Sequence, residues 1–125
     1  MSDFQNTLSI LSSGLQSQAE RLRRISENIA NVDTSGYRRK TVIMFSDDIG
    51  RVQTSTTQLD QADLERVYDP AHPLADGTGH YLGSNVNVLF EIADAREAQR
   101  SYEANLKLFD QAKQMSTDLF DLLRK

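Results

Sequence analysis

The chain has 125 residues, a formal net charge of −4 and no cysteine. That is one domain's worth of sequence; it excludes disulfides, thiol catalysis and cysteine-based metal sites, and its acidic balance argues against a nucleic-acid binder, which is normally basic. With 38% apolar residues and no tryptophan, it is poor in core-forming side chains, and its apolar stripes are expected to need neighbours for burial.

The start, Met1-Ser2-Asp3-Phe4-Gln5-Asn6, has neither a basic region nor a long apolar core, so no cleavable secretory signal is expected. No stretch reaches the ~18 apolar residues of a membrane span. If the protein leaves the cytoplasm, it is expected to do so by a route that reads something other than such a signal.

The first element is a helix. Apolar residues fall at Phe4, Leu8, Leu11, Leu15, Leu22, Ile25, Ile29 and Val32, with one polar gap at Gln18. This is the a/d spacing of a coiled-coil seam, and it predicts a helix over 5–32. Gly14 interrupts it at a cost of about 1 kcal/mol relative to Ala. Asp33-Thr34-Ser35-Gly36 is the stop signal, the glycine being able to turn left-handed. Asn28 and Asn31 flank Ile29-Ala30 at the end of the stripe. They read either as capping residues or as amides bonded across a subunit contact that set register.

The middle of the chain has a different character. Arg38-Arg39-Lys40 reads as a solvated loop or as cations favoured by the helix dipole; a phosphate or lipid-head site fits the acidic net charge less well. Thr41-Val42-Ile43-Met44-Phe45 has strand-like composition. Gln53 to Gln61 is polar, and a mobile segment is expected near 46–64. Glu65-Arg66-Val67-Tyr68 is expected to pair with Gly79-His80-Tyr81-Leu82 as a hairpin. His72 and His80, with Asp69 and Asp76 nearby, lack the fixed spacing of a metal motif, so no metal is expected. Asp47-Asp48, Asp60 and Asp63 lie in polar sequence with nothing to raise a carboxylate pKa. There is no nucleophile elbow and no glycine-rich phosphate loop. No catalytic residue, cofactor or small-molecule substrate is expected.

The last element is a second helix, predicted over 86–123. Ile92, Ala95, Tyr102, Leu106, Phe109, Phe120 and Leu123 follow a 3/4 repeat, and no glycine or proline follows Ser84. The predicted fold is mainly α. Two long terminal helices pack as an antiparallel coiled coil, with a small irregular β-containing insert. The expected division is a helical module of 1–33 with 86–125 and an insert of 34–85. Burial along two such seams is comparable with the cost of ordering two long helices, so an isolated monomer is expected to be only partly ordered. The stripes therefore point to burial against further copies.

Asn28-Ile29-Ala30-Asn31, followed by Thr34, Gly36 and Tyr37, resembles the N-terminal signature of the flagellar basal-body rod and hook proteins. Arg100-Ser101-Tyr102-Glu103-Ala104-Asn105 is similar to the Arg-x-Tyr-x-Ala-Asn element of their last helix. Val67-Tyr68-Asp69-Pro70-Ala71-His72-Pro73, Tyr81-Leu82 and Asn85-Val86-Asn87 look like the central region of a proximal rod subunit. Ser35 and Ser84 stand where the family usually has Pro, and Leu89-Phe90-Glu91-Ile92-Ala93 replaces a Met-rich helix start. The resemblance implies a non-enzymatic subunit of the rod, a periplasmic part of the bacterial flagellum that transmits torque. It implies export through the flagellar type III apparatus. It also implies partners: copies of the chain, other rod proteins, the rod–MS-ring junction protein and the MS ring. The assembly residues are then Leu8, Leu11, Leu15, Leu22, Ile25, Asn28, Ile29, Ala30, Asn31, Gly36 and Tyr37 on one side and Tyr102, Asn105, Leu106, Phe109, Phe120 and Leu123 on the other. The alternatives are another rod subunit or a cytosolic coiled-coil adaptor or export chaperone, which would use the stripes without the loop motifs.

Overall fold

A computed structural model describes residues 2–124. Met1 and Lys125, the outer bounds of the expected helical module, lie outside them. Helix α1 spans Ser2–Ala30 and helix α2 spans Val88–Arg124, roughly 44 and 56 Å at the α-helical rise. Between them lie β1 (Lys40–Thr41), β2 (Met44–Ser46), β3 (Val52–Thr54), β4 (Gln58–Leu59), β5 (Arg66–Tyr68) and β6 (His80–Leu82). The fold is mainly helical: a packed helix pair carrying small antiparallel sheet pieces.

The helix ends differ from the periodicity by one to three residues. Helix α1 starts at Ser2, ahead of residue 5, with Asp3 in the first turn where the dipole favours an acid. It stops at Ala30, short of residue 32, where the ladder tightens: the Asn31 backbone N–H is shared between Glu27 O and Asn28 O, and Val32 N–H bonds to Ile29 O. The Asn31 side-chain amide adds a second bond to Glu27 O at 2.8 Å. Gly36 then takes the left-handed conformation at φ 75°, and its N–H donates to Leu82 O and Gly83 O. Helix α2 starts at Val88 because Asn87 caps it, accepting from the N–H of Leu89 at 3.0 Å and of Phe90 at 3.4 Å.

Contacts run along the whole pair. Asn28 bonds to Glu91, and Arg21 faces Asp94 and Glu97. A Cβ on Gly14 would come within 2.7 Å of Asn105 Nδ2. Phe4 lines a small cavity with Leu119, Phe120 and Leu123. The face of α2 turned to α1 is displaced from the apolar stripe. Glu91, Ala98 and Ala112 are its buried residues, with Asn105 half-buried between them, and these four recur every seven residues. Ile92 and Leu106, assigned to the seam by periodicity, are 40% and 39% exposed. The reason is close approach. Gly14, Ala98 and Ala112 bring the helix axes together, which excludes larger side chains from the contact line.

The insert pairs its strands in three places. β1 pairs with β4, β2 with β3 and β5 with β6, all antiparallel. The strand-like run 41–45 divides between β1 and β2, which have separate partners. The polar stretch near 46–64, expected to be mobile, supplies β3 and β4 to those pairs. The expected hairpin is present, with Val67 opposite Tyr81. Its long connection is held by internal side chains. His72 stacks on Tyr81 at 3.8 Å, and Tyr68 meets His80 edge-on at 5.1 Å. Among the described residues, three apolar ones (Ile25, Ala98, Ala112) and four polar ones (Ser17, Asn28, Ser84, Glu91) are buried, so hydrogen bonding organises the interior more than apolar packing does.

A buried polar junction and an exposed apolar face

Asn28 is fully buried where α1, the start of β1 and α2 converge. Its Nδ2 donates to Lys40 O at 2.9 Å and to Glu91 Oε2 at 3.3 Å. Its Oδ1 accepts from the Tyr37 hydroxyl and from Lys40 N–H, both at 2.8 Å. A side-chain amide has two donors and two acceptor sites, so this one is saturated within the chain. Within the chain its bonds go to β1, Tyr37 and α2, and none goes to a carbonyl at the end of α1. Asn31 is the capping residue.

Glu91, also fully buried, accepts from Asn28 and from Arg39 Nε. Arg39 Nη2 donates to Asp94 at 3.1 Å, and its Nη1 lies 3.8 Å from Asp60. Burial works against the Arg39 charge, but the bond to Glu91 and the charges of Asp94 and Asp60 outweigh it, and its pKa is raised. The Arg39 N–H donates to Asn85 Oδ1 at 2.6 Å, while Asn85 Nδ2 donates to the carbonyls of Asp60 and Ala62. Ser84 Oγ closes the junction by donating to Val32 O. Arg38 reaches the same carbonyls of Asp60 and Ala62. Lys40 Nζ pairs with Glu27 at 3.0 Å, and that bond is the leading cause holding the Glu27 carboxyl below its usual range. The expectation that 38–40 is a solvated loop is therefore corrected: each side chain is spent on an acceptor of the chain itself.

The remaining candidates divide by burial. Ile25 is buried; Leu8, Leu11, Leu15, Leu22, Ile29, Asn31, Tyr37, Tyr102, Asn105 and Phe109 are half-buried; Ala30, Gly36, Leu106, Phe120 and Leu123 are exposed. Beyond them, Leu89 and Phe90 at one end of α2 are 77% and 69% exposed, and Leu122 at the other is 70% exposed. No large apolar side chain of α2 is exposed between Ile92 and Leu106, so the helix carries two apolar patches with a polar stretch between them.

Sequence reading missed Glu91, Arg39, Ser84 and Asn85 as parts of the junction. One signal was available. Asn28 lies one turn beyond Ile25 on the stripe, and Glu91 is embedded in Leu89-Phe90-Glu91-Ile92; a polar residue on a buried face needs a partner. The histidines are engaged locally: the Leu74 N–H donates to His72 Nδ1 at 3.1 Å, and His80 Nδ1 lies 3.1 Å from Thr78 Oγ1. Among the described residues no cluster of three His, Cys, Asp or Glu is placed to hold a metal, and no helix is long and apolar enough to cross a membrane.

The family described as flagella basal body rod protein matches residues 8–38, and the C-terminal family of flagellar basal body rod FlgEFG proteins matches residues 78–122. The flagellar basal-body rod protein FlgC of Agrobacterium fabrum is 42% identical over 92% of this chain and 91% of its own length. The chain belongs to the FlgC family of flagellar basal-body rod proteins. The FlgC proteins of Salmonella typhimurium and Borreliella burgdorferi are 33% and 31% identical over 88% and 95% of the chain. The family resemblance read from the motifs thus holds. The chain is a structural subunit of the rod, at home in the flagellar basal body among other rod components. The two matched stretches contain most of the junction: Asn28 and Tyr37 in the first, Ser84, Asn85 and Glu91 in the second.

Proposed function

We propose that this rod subunit polymerises through its terminal helices, packed as an antiparallel coiled coil, and so forms part of the torque-transmitting shaft and the channel inside it. The contacts that join Asn28 to Glu91 and bring Phe4 beside Phe120 support the antiparallel arrangement. The observation that carries polymerisation is the exposed apolar face: Met115, Leu122 and Leu123 are 63–74% exposed on one helix. Contiguous apolar surface of this kind marks an interaction site, and subunits related by a non-closing operation bury it along a filament. The 34–85 insert then packs outside the helical module. Partners are copies of the chain, other rod proteins, the rod–MS-ring junction protein and the MS ring. The subunit reaches the periplasm through the flagellar type III apparatus, and it performs no catalysis.

Replacing Leu106 and Phe109 by Ser tests this. Secretion should continue while the subunit disappears from purified basal bodies and swimming stops. Normal motility of that double variant would sink the proposal.

A further inference from the structure

A cavity of about 160 Å³ opens where α1, β1 and α2 meet. Arg21, Arg24, Arg39 and Lys40 line it, against a single acid, Asp94. Ile25 and Val42 supply apolar wall, and Ile43, next along the chain, is 49% exposed. Three of the cations are committed within the chain: Arg24 to Glu20 and Glu27, Arg39 to Glu91 and Asp94, Lys40 to Glu27. Arg21 is not. Its side chain is only 25% exposed, yet its two ion pairs, to Asp94 and Glu97, are loose at 3.6 Å. No hydrogen bond to it is formed among the described residues. A guanidinium carries five N–H donors in a fork shaped for a carboxylate, and leaving them mostly covered and unbonded is costly.

We propose that the Arg21 cavity receives a carboxylate from a second copy of this chain, that of Asp121. The contact deepens the polymerisation reading above and rests on it. The chain is acidic overall, so its copies offer carboxylates. Asp121 sits in the C-terminal run of exposed apolar side chains on α2, among Leu119, Phe120, Leu122 and Leu123, which are 47–74% exposed. It is exposed, and no residue of the described chain bonds to it. Asp118, by contrast, already accepts from Gln114. A carboxylate flanked by apolar side chains complements a cation flanked by Ile25 and Val42: the charges pair as the apolar rims exclude water, which strengthens the pair. The cavity and Asp121 lie towards opposite ends of the helix pair, so the contact is head-to-tail, the kind that builds a filament where its rotation does not close a ring.

A charge swap tests this. Arg21→Glu, Asp121→Lys and the double variant are each expressed as the sole copy in flagellated cells, and the chain is quantified in washed basal bodies. Each single variant is expected to fall about tenfold, the loss of one good charge-assisted pair, and the double variant to recover at least half the wild-type amount. Helix content of Arg21→Glu should be unchanged, since the pairs it loses within the chain are loose. Three results overturn the contact: singles at the wild-type level, a double variant no better than the singles, or a loss with Arg21→Glu but none with Asp121→Lys, which would mean the cavity takes another anion. Wild-type chain absent from basal bodies would reject the rod reading itself and this contact with it; wild type present with an unsuccessful swap rejects only the contact.

Discussion

At the insert end of the helix pair, Asn28, Ser84 and Glu91 are buried and bonded to groups of the same chain. At the far end, Leu119, Phe120, Leu122 and Leu123 are 47–74% exposed and form no comparable interior. Both regions belong to the same two helices, yet one is complete within the monomer and the other is not. Buried polar groups tolerate no missing partner, and those of the junction find theirs within the chain. Apolar area is non-directional, so the far end carries no such requirement.

That contrast is broken most severely at Glu91. Glu91→Ala leaves Arg39 and Asn28 short of their shared acceptor. Removing one member of a buried pair costs about 3–5 kcal/mol, and urea unfolding followed by circular dichroism should show a loss of that order.

Gly14→Ala probes the middle of the pair. In an ordinary helix it would add about 1 kcal/mol of stability. Here the new Cβ lies 2.7 Å from Asn105 Nδ2, the tip of a side chain that must swing aside, so the single variant should gain less than that. The full gain, about 1 kcal/mol, should appear when Gly14→Ala is added to Asn105→Ala. A single variant with the full gain would show that Asn105 does not crowd this position.

Substitution at the far end should hardly move the monomer. Met115→Ser and Leu122→Ser, which lie outside the cavity shared with Phe4 and are 63% and 70% exposed, are expected to change unfolding free energy by less than about 0.5 kcal/mol, as exposed positions do. A larger loss would mean that this end is also packed within the chain.

The smallest effect is local and depends on pH. The Thr78 hydroxyl and the backbone N–H groups of Thr78 and His80 hold the Asp76 carboxyl down at about 2, from 3.8. A depressed carboxyl contributes stability that is present above its unfolded pKa and lost as pH falls through its folded one. The hairpin turn should therefore be intact at pH 4 and loosen as pH approaches 2. Amide chemical shifts of Thr78 and His80 would follow it, and Asp76→Asn should abolish the transition.

The two helices were legible because their apolar repeats are long; their ends were not, because bonds at Asn31 and Asn87 decide them. The face of α2 that meets α1 was misplaced. Apolar periodicity weights Ile92 and Leu106, whereas the contact is set by small residues and by Glu91, whose role depends on partners at Asn28 and Arg39 far away in sequence. The candidate site divides the same way. The Asn28–Tyr37 block was recognisable as a motif, but its internal bonding to Lys40 and Glu91 has no periodic signature.

The junction also determines what the rest of the insert is free to become. The connection from Ala30 to Val88 leaves the helix pair and returns to it where residues 37–40 and 84–91 are bonded together, and it touches α1 again where Val52 bonds to Ser13 and Ser17. Once its ends are pinned there, extending the excursion adds only a logarithmic entropy, about 0.6 kcal/mol for each doubling in length. The excursion can then be shortened, lengthened or exchanged at the hairpin tip, near Leu74–Thr78, while the helices keep their alignment. Length can thus change in the insert without any change in the contacts between the two helices.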